Sequence, residues 1–183
     1  MSTRALFAAI ALVAVAAGTA LWWAMRPSAP PPTAPGPIQI APAAFFAAAF
    51  TDASGRRQAL GHYEGKLLVV NFWATWCAPC REEMPAFVRL QSKWGPRGVQ
   101  FVGLANEEAA RVQRFGAELG INYPLWTGGD EVSELSRRLG NRLGVLPHTA
   151  VIGPSGEVLD VRVGPYSEAQ MEERLAAFAP KSP

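Results

Sequence analysis

Residues 67–73 read Leu-Leu-Val-Val-Asn-Phe-Trp, a nearly unbroken apolar run. A strand with one wet face alternates apolar with polar, whereas a continuous run needs cover on both faces, so this segment predicts a central strand of a layered sheet. Four residues later comes Cys77-Ala78-Pro79-Cys80, which holds both cysteines of the 183-residue chain. Pro79 suits a first helical turn, where its missing N–H leaves no bond unmade. Phe87, Leu90 and Trp94 then recur at the spacing of an inward helical stripe, which predicts a helix from the first cysteine to about Trp94. A buried strand that hands over to a helix at a C-x-x-C admits few architectures.

The flanking sequence completes an α/β pattern. Phe46, Ala48 and Phe50 alternate, residues 51–55 (TDASG) carry turn chemistry, and residues 57–60 return, which predicts a β-hairpin. Strands are expected at 99–104, 149–152 and 157–163, the last two joined by Gly153-Pro154-Ser155-Gly156. Helices are expected at 107–119 with Gly120 at its end, at 132–139 with Gly140 at its end, and from the N-cap Ser167 with Met171, Leu175 and Phe178 inward. The economical packing is one mixed central sheet with helices on both faces and the hairpin added at the N-terminal side.

The 17 basic and 15 acidic residues nearly balance and form no basic cluster, which argues against a nucleic-acid partner. Residues 5–25 carry no charge, a length that spans about 30 Å as a helix and matches a bilayer core. Arg4 precedes the run, Arg26 closes it, and Trp22 and Trp23 stand where indoles favour the membrane interface. Residues 1–26 are therefore expected to be an uncleaved signal anchor, with the amino terminus in the cytoplasm. A cleaved secretory signal with Gly18-Thr19-Ala20 at the cleavage site is the competing reading, and both export the body. Residues 27–42 are proline-rich and read as an extended spacer, leaving 43–183 as the folded domain.

Several chemistries compete for the thiol pair. A structural disulfide across four residues closes a loop too short to stabilise much. Zinc needs about four ligands, and the chain offers only His62 and His148 besides the two thiols. Copper(I) held by both thiolates and a histidine is a further reading. A peroxidase would place threonine and proline ahead of a lone cysteine, which this sequence does not. Redox exchange fits best. At a helix N-terminus, free N–H groups and the helix dipole favour a thiolate at Cys77, the attacking form. Cys80, one turn further on, is the resolving thiol.

The stretch LLVVNFWATWCAPCREEMP, with Gly144-Val145-Leu146-Pro147 and Pro154-Ser155-Gly156 downstream, resembles the thioredoxin superfamily, and within it the TlpA/ResA-type membrane-anchored thiol–disulfide oxidoreductases. The resemblance covers roughly residues 46–178 and implies a thioredoxin-like fold. It makes Pro147 the cis-proline that lies against the sulfurs, and makes Trp76, Pro79, Leu146 and Pro147 the client-binding surface. Glu83 falls on the acidic position of C-x-P-C-x-x-E-x-P, while Asn71 stands where thioredoxins carry a buried aspartate. Glu83 is thus expected to take the proton of Cys80, one turn away. Catalysis then rests on Cys77, Cys80 and Glu83, with no cofactor beyond the Cys77–Cys80 disulfide and no metal. His148, where relatives more often carry a hydroxyl or an aromatic residue, is expected to face away from the sulfurs, and His62 to lie in a surface loop. The implied setting is the bacterial inner membrane, with the catalytic domain in the periplasm. Implied partners are disulfide-containing exported proteins, such as cytochrome c maturation or metallochaperone clients, and a membrane thiol electron donor. Oxidase or isomerase action and a copper(I) assembly role are the alternatives.

Overall fold

A computed structural model describes Thr19, Trp22 and residues 40–179. The chain divides into two units, Met1–Gly36 and Pro37–Pro183, and every element below belongs to the second. The expected anchor lies outside the described residues except for Thr19 and Trp22, and the expected spacer except for residues 40–42. Among the described residues no helix is long and apolar enough to cross a membrane.

The body begins with helix α1, Pro42–Phe46, followed by strands β1, Ala49–Thr51, and β2, Arg57–Ala59. Strand β3, Leu67–Trp73, leads into helix α2, Ala78–Trp94. Then come β4, Val99–Ala105, helix α3, Ala109–Glu118, and β5, Leu125–Thr127. Helix α4, Gly129–Arg138, strands β6, His148–Ile152, and β7, Val158–Val163, and helix α5, Glu168–Phe178, complete it. The seven strands form one sheet in the order β2-β1-β5-β4-β3-β6-β7. Strands β3, β4 and β5 run parallel, and the remaining pairings are antiparallel.

Alternation along β3 divides the interior. Leu68, Val70 and Phe72 face a core filled by Phe45 of α1 and by Val132 and Leu135 of α4. Leu67 and Val69 face the opposite core, closed by Phe87 and Leu90 of α2 and by Met171 and Leu175 of α5. Trp73 continues that second face into a cluster with both cysteines, Met84 and Val112. Both faces of β3 are therefore dry, as its unbroken apolar run requires. Ser167 closes a capping box with Gln170 at the start of α5.

Several elements differ from expectation. Pro42 starts a helix at its first turn, which draws Phe46 out of the predicted strand, and buried Ile40 extends the body back into the expected spacer. Helix α3 starts at Ala109 rather than at 107, since Glu108 is extended backbone and serves as the N-cap. The 132–139 helix begins earlier, at Gly129. Strand β5 was not foreseen: three residues after Pro124 are too short to show a period, yet they join the hairpin to the sheet through Thr51 and Thr127.

Phe50 of β1 is buried in the same core as Phe45 and Phe72, so the hairpin is part of the cooperative unit. Phe50→Ala is expected to cost about 3 kcal/mol or more in urea unfolding while keeping a single transition. A loss under about 1 kcal/mol would show the hairpin to be an appendage.

Candidate active site

Strand β3 ends at Trp73, and residues 74–77 turn the chain into α2. Thr75 donates to Glu107 from both its N–H (2.6 Å) and its hydroxyl (2.8 Å), and the Cys77 N–H donates to the Ala74 carbonyl. This double clamp brings the end of β4 to the loop that presents the cysteines. Sequence reading passed over Glu107 because it looked like one of several acidic helix-start residues. Cys77 is the N-cap of α2, and its Sγ accepts from the Cys80 N–H at 3.4 Å. The first-turn N–H groups and the helix dipole therefore act on this sulfur, as expected. The two cysteines are joined in a disulfide. Cys77 retains 5% exposure and Cys80 none, so of the pair only Cys77 reaches the surface. Pro79 lies in the first turn, and Trp76, 71% exposed, stands beside the disulfide.

Glu83 lies one turn beyond Cys80 and is buried. One carboxylate oxygen accepts from Asn71 Nδ2 at 2.9 Å, and the other from the Tyr166 backbone N–H at 2.8 Å. Asn71 Nδ2 also donates to Thr149 Oγ1 at 3.0 Å. Asn71 thus supplies a donor to Glu83 from the position where thioredoxins have a carboxylate. Burial is the largest influence on Glu83 and raises its pKa to about 7, against the Tyr166 N–H, the Asn71 amide and the Arg162 charge, which lower it. A carboxyl that titrates near neutrality one helical turn from Cys80 can take up and return a proton there.

The Leu146–Pro147 bond is cis, as the resemblance implied. The Pro147 carbonyl accepts from the Gly164 N–H, and half-buried Leu146 packs against the cysteine cluster. The preceding loop is held by Asn141, which accepts from the Val145 N–H and donates to the Val145 carbonyl and to Ser136 Oγ. Ser136 Oγ in turn meets His148 Nδ1 at 3.0 Å. Asn141 donates to the same hydroxyl oxygen, so Asn141, Ser136 and His148 form one hydrogen-bonded chain. His148 is buried, stacks on Phe72 at 5.1 Å, and faces the α4 side of the sheet, away from the sulfurs. Burial lowers its pKa to about 4, against a smaller opposing pull from the Leu139 carbonyl. It is therefore not placed to join the two thiols around copper. Among the described residues no group of three or more His, Cys, Asp or Glu side chains is arranged to hold a metal ion. Neither Ser136 nor Asn141 was foreseen, since a lone serine on a helix and an asparagine after a glycine carry no motif.

A cleft of about 430 Å³ opens beside the disulfide, lined by Trp76, Ala74, Arg137, Arg142, Leu143 and Leu146 among others. Leu143, 89% exposed, lines it together with the Trp76 indole. The expected client-binding residues Trp76 and Leu146 thus line the same cleft, with Arg137 and Arg142.

Comparison with known proteins gives a consistent result. Residues 39–161 match the model of the AhpC/TSA family. The thiol-disulfide oxidoreductase ResA of Halalkalibacterium halodurans is 31% identical over 134 residues, which cover 72% of this chain and 73% of that protein. ResA of Bacillus anthracis is 31% identical over 131 residues, with 71% and 73% covered. Among solved structures, a thioredoxin-family thiol:disulfide interchange protein from Chlorobium tepidum TLS aligns with a TM-score of 0.61 and 35% identity, over 70% of this chain and 90% of that one. A secreted Mycobacterium tuberculosis disulfide oxidoreductase, at 22% identity and a TM-score of 0.62, covers 73% of this chain and 97% of its own and shares the fold.

The buried imidazole sets a pH dependence. The unfolded chain binds a proton on His148 near pH 6.5 and the folded chain only near 4, so this group's contribution to stability is lost as pH falls through that window. The loss between pH 7 and 4.5 is about 2 kcal/mol. His148→Phe, which keeps a flat ring against Phe72, is expected to lack this component when urea unfolding is compared at the two pH values. An unchanged pH difference would mean that the ring titrates normally.

Proposed function

This chain belongs to the AhpC/TSA family, and from that premise we propose that it reduces disulfides in exported proteins while anchored to the membrane. The chemistry is that of a thiol–disulfide oxidoreductase of the ResA/DsbE type. The observation that carries the reading is the pairing of a slightly exposed Cys77 at a helix N-terminus with a fully buried Cys80, one turn above a buried Glu83.

In the proposed cycle the Cys77 thiolate attacks one sulfur of a client disulfide, and the other client sulfur leaves as a thiolate. Glu83 then takes the proton of Cys80, whose thiolate attacks Sγ of Cys77 in the mixed disulfide. The second client thiolate leaves and the Cys77–Cys80 disulfide forms. Two electrons have passed to the client, and a membrane dithiol donor returns them to complete the cycle. Trp76, Pro79, Leu146 and Pro147 supply the surface on which an extended client segment lies, with Leu146 offering backbone and Trp76 an apolar plane. The uncharged run at 5–25 and the proline-rich spacer support an inner-membrane location with the domain in the periplasm. Cytochrome c maturation proteins and metallochaperones are the client classes that the resemblance favours.

The reduction potential decides the direction. A value of about −250 mV or below in glutathione buffers supports a reductase, and one near about −120 mV would make the protein an oxidant. For the roles of the residues, Cys77→Ser is expected to abolish turnover and Cys80→Ser to accumulate the mixed disulfide. The resolution rate of the parent should rise with pH through about 7 as Glu83 ionises. Glu83→Gln should slow resolution by about 100-fold and erase that rise, with the first attack less affected. Equal slowing of both steps would remove Glu83 from the proton transfer.

A further inference from the structure

Asn71, Thr149 and Arg162 stand opposite one another on β3, β6 and β7, in the register Asn71 to Thr149 and Thr149 to Arg162. Directly opposed residues share a face of the sheet, so the three form one polar rung beneath α2. Val69 and Val151 fill the next rung inward with apolar atoms. The polar rung lies under Glu83, which takes the Asn71 amide.

Tyr166 joins the carboxylate to the far end of this rung. Its backbone N–H donates to Glu83 at 2.8 Å, and its ring lies under the Arg162 guanidinium, 4.9 Å from the centroid. Its hydroxyl donates to Asp160 at 2.8 Å, and Arg174 also pairs with Asp160. The ring is therefore fixed at both ends, and the nearby carboxylate of Asp160 is already engaged. Arg162 Nε is buried and makes no hydrogen bond to a described residue. The guanidinium is thus held in place by a ring, with Glu83 as the buried carboxylate its charge acts upon.

We propose that Arg162 is a positioning residue for the resolving step: its charge, seated on Tyr166 at the end of the Asn71–Thr149 rung, favours the ionised form of the buried Glu83. This rests on the reading of Glu83 as the base for Cys80. Burial penalises the carboxylate and pushes its titration upward; the Tyr166 N–H and the Asn71 amide offset part of this, and the Arg162 guanidinium adds a full positive charge to their effect. The other groups around Glu83 supply no compensating charge. Asn71 and Thr149 are neutral, and the buried phenol of Tyr123 is pushed far above its ordinary value and keeps its proton. Arg162 exchanges no proton itself. The hydrogen still passes from Cys80 to Glu83, and the sulfur electron pair to Cys77.

Two measurements on the full domain separate this inference from the reading beneath it. In the oxidised protein, where neither cysteine titrates, the Glu83 side-chain carbon signal is followed against pH. Arg162→Gln and Arg162→Met are each expected to move its midpoint upward by about half a pH unit or more, while Arg162→Lys, which keeps the charge, restores it toward the parent value. The pH limb of mixed-disulfide resolution should move with it. A midpoint in Arg162→Gln or Arg162→Met that coincides with the parent's overturns the proposal. A midpoint that moves while the resolution limb stays put upholds the electrostatic role and instead removes Glu83 as the base.

Discussion

A carboxyl group cut off from water must be met by donors from the protein, and meeting that demand at Glu83 fixes the geometry around it. Its two oxygens draw on the side chain of Asn71 in β3 and the backbone of Tyr166 before α5. Through Asn71 it reaches Thr149 in β6. One residue of α2 thereby holds the central strand, its antiparallel neighbour and the entry to the last helix in register. Because α2 also carries both cysteines, the resolving sulfur is placed by the same contacts.

The attacking sulfur is fixed from the other end. Cys77 caps α2 where the chain leaves a strand that is dry on both faces, and the Glu107 clamp on Thr75 keeps that departure short and tight. The cis-Pro147 loop approaches from β6, restrained by Asn141 within the loop and by Ser136 and His148 beneath it. The walls around the disulfide are thus preformed, which lowers the ordering that binding there would require. This suits an exchange reaction in which two sulfurs must line up with a third.

Much of this was legible in the residues. The unbroken apolar run at 67–73 located β3 to the residue, and the i, i+3, i+7 stripe located α2. Cys77 and Cys80 announced themselves by spacing, and the resemblance together with alternation along the strand after Pro147 turned His148 away from the sulfurs. The misses have a common cause: they depend on what comes together across the chain rather than along it. β5 is three residues long and is defined by its neighbours on either side. Glu107, Asn141, Ser136, Tyr166 and Arg162 occupy ordinary sequence surroundings, and they acquire meaning through partners up to 83 residues away, as with Tyr166 and Glu83. Pro42 was read as the end of a spacer because proline is ambiguous between an extended tract and a first helical turn.

Phe72 and Asn71 are consecutive in β3, so their partners His148 and Thr149 are consecutive in β6, on opposite sides of the sheet. The two buried titratable groups, an imidazole on one side and a carboxyl on the other, are thereby anchored to adjacent rungs of a single strand pair. Acidification works against the first and favours the second, which binds its proton more tightly folded than unfolded. Between about pH 4.5 and 6.5 their slopes have opposite sign and similar size. The strand pair thus acts as a balance in which what the imidazole side loses on acidification the carboxyl side largely returns.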